Sequence, residues 1–583
     1  MLKPIRSDHD LPMRAGDFAD LAEALDYASQ GETGLNFFDA RGRLCETLPY
    51  SELRERARSL ARKLLGEGLS RGDRVACIAE TGPDFAVLYF ACQYAGMVPV
   101  ALPIAVNVGG RAAYVNQLVQ LLSSSTPSLA VAPDEWLEFL EEAGGGMPWL
   151  PVTTVAALQA KPEPDVELHP SRGDEAAYVQ FTSGSTQFPR GVVISQAAVM
   201  DNLRCIVQHG LQIQPGDRSA SWLPFYHDMG LVGFLLGPVA SQVTIDYMRT
   251  RDFAMRPVEW LRLISRNRAT IAFGPPIAYE LCDLRLRPRD IEGLDLSSWR
   301  IAGVGAEMIR PNSLNNFAEK LAPAGFDRRA FLPCYGLAEA SLAVAFPPLG
   351  EGPIIEQVDA DLLSETGEAR VAIADGGPKK EVVNCGMPVP GHEIAIRDET
   401  GSEVEQRQVG RVFVRGPSVM TGYFQDPDST RAVLSEDGWL DTGDLGYMTD
   451  DGLYITGRAK DLIIVNGRNI WPEDLEHIAE QHPQVRVGDS SAFGLIGPDA
   501  VERAVLVVEC RSTDPDELDA LVTHFQTTVY EAMGINCLVE VVPPRTLPKT
   551  TSGKRSRDAA RRGFLGRVGW HEPDLMIDGA GRA

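Results

Sequence analysis

Leu53, Ala57, Leu60 and Leu64 recur at the three- and four-residue spacing of one helix face, while Arg54, Glu55, Arg58 and Arg62 fall on the others. That pattern predicts an amphipathic helix over 51–66. From there short β-rich runs alternate with helical stretches: RVACIAE (74–80), VPVALPI (98–104), LAVAP (129–133), VTIDYM (243–248), TIAFGPP (270–276), RIAGVGA (300–306) and AFLPCYG (330–336). Such alternation implies parallel sheets covered by helices. Phe85 to Gly110 carries no charge, and a membrane helix needs roughly 20 such positions. Gln93, Pro99, Pro103 and Asn107 interrupt the run. A buried helix near 84–96 followed by a buried strand near 98–104 accounts for it, and no membrane span is expected.

After about residue 350 the texture changes to glycine-punctuated strands such as RVFVRG (411–416), with little helical periodicity until PEDLEHIAEQ (472–481). The last stretch pairs strands RAVLVVEC (503–510) and NCLVEVV (536–542) with a helix near 514–533. The expected fold class is α/β. A large N-terminal domain of helix-covered parallel sheets (1–457), with a small β-rich subdomain (about 350–457), joins a small α+β C-terminal domain (458–583) at a boundary near 457–460. The tail after Gly569 has no clear pattern.

With 583 residues, 44% hydrophobic and 23% charged, the chain reads as globular. A net charge of −25 argues against steering toward nucleic acid. Nine scattered cysteines, with no CxxC pair, make a disulfide framework or structural zinc site improbable. The N-terminus is too charged for a signal peptide, so a cytoplasmic location is expected.

The most informative segment is YVQFTSGSTQFPRGVVIS (178–195), where two β runs flank a loop of hydroxyls and glycines ending in a basic residue. Thr182, Ser183, Gly184, Ser185 and Thr186, with Arg190, form a phosphate-cradling composition. The loop is not GxxxxGK[ST], and a solvated Ser/Thr turn is the plain alternative. SWLPFYHDMGLVGFLLGPV (221–239) sets His227 and Asp228 before an uncharged run, and PCYGLAEASL (333–342) sets Tyr335 and Glu339 after a strand. WLDTGDLGYMTDDGLYITGRAKDLIIVNGRNIWPEDLE (439–476) carries Asp444, Arg458 and Lys460, and PKTTSGKRSR (548–557) carries Lys554. Each alone has a dull reading: a helix cap, a surface ion pair, a solvated lysine. The uncharged 229–245 run is either a core helix and strand or the wall of a site for an apolar chain.

In these motifs the chain resembles the adenylate-forming superfamily of acyl-CoA synthetases, firefly luciferase and peptide-synthetase adenylation domains, and most closely its fatty acyl-AMP ligases. The resemblance runs from about residue 20 to 565 and implies ATP and Mg²⁺ as cofactors. It places the ATP phosphates on Thr182 to Thr186 and Arg190, the metal on Glu339, and adenine on Tyr335 and Gly336 with Gly305, Ala306 and Glu307 at its border. Asp444 would accept the ribose hydroxyls, with Arg458 assisting. Lys554 would reach the carboxylate and α-phosphate, and Lys460 would be the hinge. His227, Asp228, Met229 and Gly230 would border the acyl site. The sequence departs from the superfamily at Gln187 and Phe188, where glycine is frequent, at Arg190, where lysine is usual, and at Asn466, where the ligase branch often has a basic residue.

The implied activity is activation of a fatty acid to acyl-AMP, then acyl transfer to the phosphopantetheine thiol of a separate acyl carrier protein, as in lipid or polyketide biosynthesis. The chain has no G-x-D-S-[LIM] carrier motif of its own. The alternatives are a fatty acyl-CoA synthetase and a catalytically silent acyl-binding protein. Two further features stand out. Segment 354–383 reads as an ordered insertion of the kind linked, in fatty acyl-AMP ligases, to loss of coenzyme A use. Segment 545–567 holds eight basic residues and one acid, either a solvated helix or a landing site for an acidic carrier protein.

Overall fold

A computed structural model of the chain describes residues 2–7, 11–104, 110–182, 189–374, 376–465, 467–496, 502–550 and 554–569. The amphipathic pattern near residue 51 forms helix Tyr50–Gly66, which buries Leu53, Ala57, Leu60 and Leu64 against helix Pro83–Ala95. A fully buried leucine contributes about 1.5–3 kcal/mol, so Leu60→Ala in this seam costs about 2–5 kcal/mol. Pro83–Ala95 starts with proline at its first turn, is buried from Phe85 to Ala95, and stops at Gly96 in the left-handed region, φ 70°. Strand Val98–Leu102 follows, buried throughout. From Phe85 to Leu102 the uncharged run is therefore a helix and strand of the core. Among the described residues no helix is long and apolar enough to cross a membrane.

All seven β-rich runs form strands, but in two separate sheets. One sheet orders strands Phe331–Pro333, Ile301–Val304, Ile271–Gly274, Arg218–Ser221, Thr244–Met248, Gly34–Phe38 and Leu44–Pro49. All its pairings are parallel except the last. The other orders Gly422–Tyr423, Gly191–Ser195, Ala176–Phe181, Val98–Leu102, Arg74–Ile78, Leu129–Ala132 and Val152–Thr154. One large apolar core joins both sheets to their helices.

The β-rich region contains the antiparallel sheet of Glu393–Arg397, Gly410–Arg415, Leu440–Thr449 and Gly452–Arg458. The smaller C-terminal domain has its own core, with Ile463, Leu475, Leu506 and Phe525. It is built on strands Ser490–Ile496, Glu502–Glu509 and Cys537–Val542 with helices Pro472–Glu480 and Pro515–Met533. The described part of segment 354–383 forms an excursion with its own strand pair and helix. Strands Ile355–Asp359 and Lys379–Val383 pair antiparallel around helix Ala360–Thr366, and Val358, Leu363 and Val382 pack with Tyr447, Tyr454 and Trp471.

The basic C-terminal segment is not a free cationic patch. Arg555 and Arg557 pair with Glu476, Arg557 also with Asp461 at 2.9 Å, and Arg567 with Glu540 at 2.6 Å. Lys549 pairs with Asp489 and Arg562 with Asp558. Counting charge along the chain misses acids that fold back from elsewhere.

Candidate active site

A cavity of about 460 Å³ opens where the C-terminal ends of several strands meet the C-terminal domain. In open α/β sheets ligands bind at this end of the strands. Thr182 follows strand Ala176–Phe181, Gly305 to Glu307 follow Ile301–Val304, and Tyr335 and Gly336 follow Phe331–Pro333; all of these residues line the cavity. Parallel pairing puts the ends of Ile301–Val304 and Phe331–Pro333 side by side, and the end of Ala176–Phe181 comes to the cavity from the other sheet. At Gly336 an added Cβ would lie 1.8 Å from the Leu342 carbonyl oxygen, so any side chain there displaces the backbone.

Tyr335 donates its O–H to Asp444 Oδ2 at 2.7 Å. Asp444 sits opposite Arg458 in an antiparallel pair, and its Oδ1 lies 3.0 Å from Arg458 Nε. The Asp444 charge raises the Arg458 guanidinium further above its ordinary value. Glu339 is held in the short helical turn Ala338–Ala340. Burial pushes its carboxyl above the usual range, against the pull of a hydrogen bond from Tyr423 and the charge of Arg458. Tyr423 O–H donates to Glu339 Oε1 at 3.0 Å, and the Arg190 guanidinium sits 5.2 Å from the centre of the Tyr423 ring. Arg190 thus stands behind Tyr423 and does not itself line the cavity.

His227 Nδ1 lies 2.5 Å from Asp228 Oδ1, and Asp228 also accepts the Met229 N–H at 2.7 Å. Burial works to raise the Asp228 carboxyl, but His227 beside it and the Lys554 charge hold it below the usual range. Residues Met229–Leu236 form a π-helix, with i to i+5 hydrogen bonds, a form that recurs at functional sites. Met229, Gly233 and Phe234 face the cavity, while Leu231, Val232, Leu235 and Leu236 belong to the core. The uncharged run is wall and core at once. Gly230 is not among the residues that line the cavity; an added Cβ there would lie 2.1 Å from the Pro224 carbonyl oxygen, a close backbone contact.

From the C-terminal side come Lys460 and Lys554. Burial and the nearby Arg458 charge lower the Lys460 ammonium. Burial also lowers Lys554, opposed by Glu307 and Asp228; its Nζ donates to the Ala306 carbonyl at 2.9 Å. Burial raises the Glu307 carboxyl, against Lys554 and Arg555. Ser183, Gly184, Ser185, Thr186, Gln187, Phe188 and Asn466 lie outside the described residues; the loop's flanks are fixed by the pair Phe181↔Gly191 and by Thr182 N–H donating to the Arg190 carbonyl at 3.0 Å.

Sequence reading missed Tyr423, whose segment TGYF lies far from the other motifs. It also missed Phe273, Leu342 and Phe346, which with Phe234 are apolar parts of the cavity lining. Nothing in their local spacing separates them from core residues. The cavity lining therefore combines fixed charges with apolar side chains. It suits a ligand with a polar, anionic head and an apolar tail.

Comparison with known proteins gives the same picture. The AMP-binding enzyme family matches residues 37–424. A Caulobacter vibrioides protein provisionally named an acyl-CoA synthetase is 42% identical over 97% of this chain and 98% of its own length. The medium-chain-fatty-acid–[acyl-carrier-protein] ligase JamA of Moorena producens is 31% identical over 95% of this chain and 96% of its own. A solved structure from work on the fatty acyl-adenylate ligases of E. coli and L. pneumophila superposes with a TM-score of 0.92 at 46% identity, covering 96% of this chain and all of that one.

Proposed function

Since this chain belongs to the AMP-binding enzyme family, we propose that it activates a fatty acid with ATP and passes the acyl group to the phosphopantetheine thiol of a separate acyl carrier protein. One observation carries the reading: a single cavity is lined by Lys554, Asp444 and Glu339 together with Phe234, Phe273 and Phe346. In the first half-reaction a carboxylate oxygen attacks the α-phosphorus of ATP; the bond to the β-phosphate oxygen breaks and pyrophosphate leaves. Charge builds on the phosphoryl oxygens, and Lys554 is placed to stabilise it. Tyr335 and Gly336 take the adenine, bordered by Gly305 to Glu307, and Asp444 with Arg458 takes the ribose. Thr182 to Thr186 take the phosphates. His227 and Asp228 sit where the acyl carboxylate enters, and Met229 and Gly233 begin the wall of its chain.

Glu339 suits Mg²⁺: its carboxylate is a hard oxygen donor at the cavity, already oriented by Tyr423, and would share the ion with phosphate oxygens. When bound, the ion neutralises phosphate charge. In the second half-reaction the thiol sulfur attacks the acyl carbon, the bond to the AMP oxygen breaks, and AMP leaves with release of the thiol proton. The C-terminal domain turns about Lys460 between the two.

Coenzyme A as acceptor is the second reading, favoured by the name of the Caulobacter relative. Incubating the protein with ATP, Mg²⁺ and a labelled fatty acid, then with either coenzyme A or loaded carrier protein, tests both. The proposal expects acyl-AMP first and acyl-carrier thioester second. Acyl-CoA as the main product would replace it with the second reading, and no adenylate would leave only a silent acyl-binding protein.

A further inference from the structure

The buried carboxylate of Glu480 ties the Arg310 end of the cavity wall to the Arg555 stretch of the C-terminal domain. Its side chain is 2% exposed, and its Oε2 lies 2.7 Å from Arg310 Nη1. Its Oε1 pairs with Arg555 and accepts the Gly488 N–H at 2.8 Å and the Ser490 O–H at 3.0 Å. Arg555 and Arg310 together hold this carboxyl below its usual range against the effect of burial.

Position gives these contacts a consequence. Gly488, Ser490 and Arg555 lie within the same C-terminal domain as Glu480. Arg310 does not: it stands just before helix Pro311–Leu321, at the end of the Gly305 to Arg310 stretch of cavity wall. Arg555 is the residue after Lys554, whose Nζ reaches Ala306 in that same stretch. Loss of the Arg310 contact would leave Glu480 with one of its two cationic partners, so the pair adds to the stability of the orientation in which both are present.

We propose that Glu480 is a positioning residue for adenylation: by bridging Arg310 and Arg555 it holds the orientation in which Lys554 enters the cavity. The proposal rests on the adenylation reading. The Arg310 contact spans the two domains, so it is lost when the C-terminal domain turns away, whereas the other Glu480 contacts travel with that domain. The bridge therefore favours one half-reaction over the other, and the observed rate of the favoured step scales with the fraction of molecules in the competent orientation.

Arg310→Gln is the cleaner variant, because Glu480 keeps Arg555 and no isolated buried charge remains. Acid-dependent ATP–pyrophosphate exchange, thioester formation from supplied acyl-AMP and thermal midpoints are measured for wild type, Arg310→Gln, Arg310→Lys, Glu480→Gln and the Arg310→Gln/Glu480→Gln double variant. Exchange kcat is expected to fall about tenfold or more in each Gln variant with the KM for ATP nearly unchanged, while thioester formation falls less. Arg310→Lys should recover part of the loss, and the double variant should be no slower than the slower single. The thermal midpoint of Arg310→Gln should stay near that of wild type. Unchanged exchange, equal losses in both half-reactions, or additive losses in the double variant would overturn the positioning role while leaving the adenylation reading intact. Wild-type protein without acid-dependent exchange would remove both.

Discussion

Lys554 Nζ donates to the Ala306 carbonyl oxygen at 2.9 Å across 248 positions of the chain. Ala306 has a φ of 69°, in the left-handed region that costs a non-glycine residue about 1 kcal/mol or more. Lys554 thus reaches a strained wall residue beside the half-buried Glu307.

That setting gives the reaction a pH signature. Burial and Arg458 push the Lys554 ammonium down, with Glu307 and Asp228 opposing. The charged form is the one that stabilises phosphoryl charge, and a lowered value means it is lost at lower pH than for an ordinary lysine, about 10.4. The kcat/KM for adenylation, which reports the free enzyme, should therefore fall on its alkaline side below that range. Lys554→Arg should move the limb upward. A profile flat up to the ordinary lysine range in the native enzyme would contradict this.

Tyr423→Phe removes the donor to Glu339 Oε1 and keeps the ring beneath Arg190. A hydrogen bond to a charged group contributes about 1.5–3 kcal/mol, so adenylation should fall about tenfold or more, and half-maximal activity should need more Mg²⁺. Mg²⁺ titration of the exchange rate checks it. An unshifted titration with full activity would separate Tyr423 from the metal site.

The excursion at 354–383 touches the C-terminal domain directly. Ser364 O–H donates to the Asn469 carbonyl at 2.9 Å, Arg468 pairs with Asp361 at 3.2 Å, and Lys380 pairs with Asp474 at 2.6 Å while lying 4.0 Å from the Trp471 ring centre. These contacts suit a restraint on how that domain turns. Deleting 357–379 and rejoining with a short Gly/Ser linker should preserve acyl-AMP formation and raise acyl-CoA formation above the native background. A folded deletion variant that makes adenylate but no more acyl-CoA would show a neutral loop.

Gly233 lines the cavity, where an added Cβ would come 3.3 Å from Leu342 Cδ2. Gly233→Leu should narrow the cavity there and shift preference toward shorter acids, read as the ratio of kcat/KM values across a series of saturated acids. Equal losses for short and long acids would place Gly233 outside the acyl path.

The sequence made the strands and most of the charged site legible because each lies in a short continuous pattern: RIAGVGA before Glu307, AFLPCYG before Glu339, PKTTSGK ending on Lys554. The split of the strands over two sheets was not legible, since periodicity fixes which face is buried and not which strand is the neighbour. The ion pairs that absorb the basic segment were hidden for the same reason. Arg557 meets Asp461 and Glu476, partners set by tertiary packing. Gly230 looked like substrate wall beside His227, yet close backbone approach to Pro224 explains it.

The most direct test of the account is fatty-acid-dependent ATP–pyrophosphate exchange by the native protein and by Lys554→Ala. The account predicts exchange with medium- or long-chain acids that depends on Mg²⁺, and a loss of about a hundredfold or more in Lys554→Ala with the fold intact. No exchange with any fatty acid, or near-normal exchange in Lys554→Ala, would contradict it.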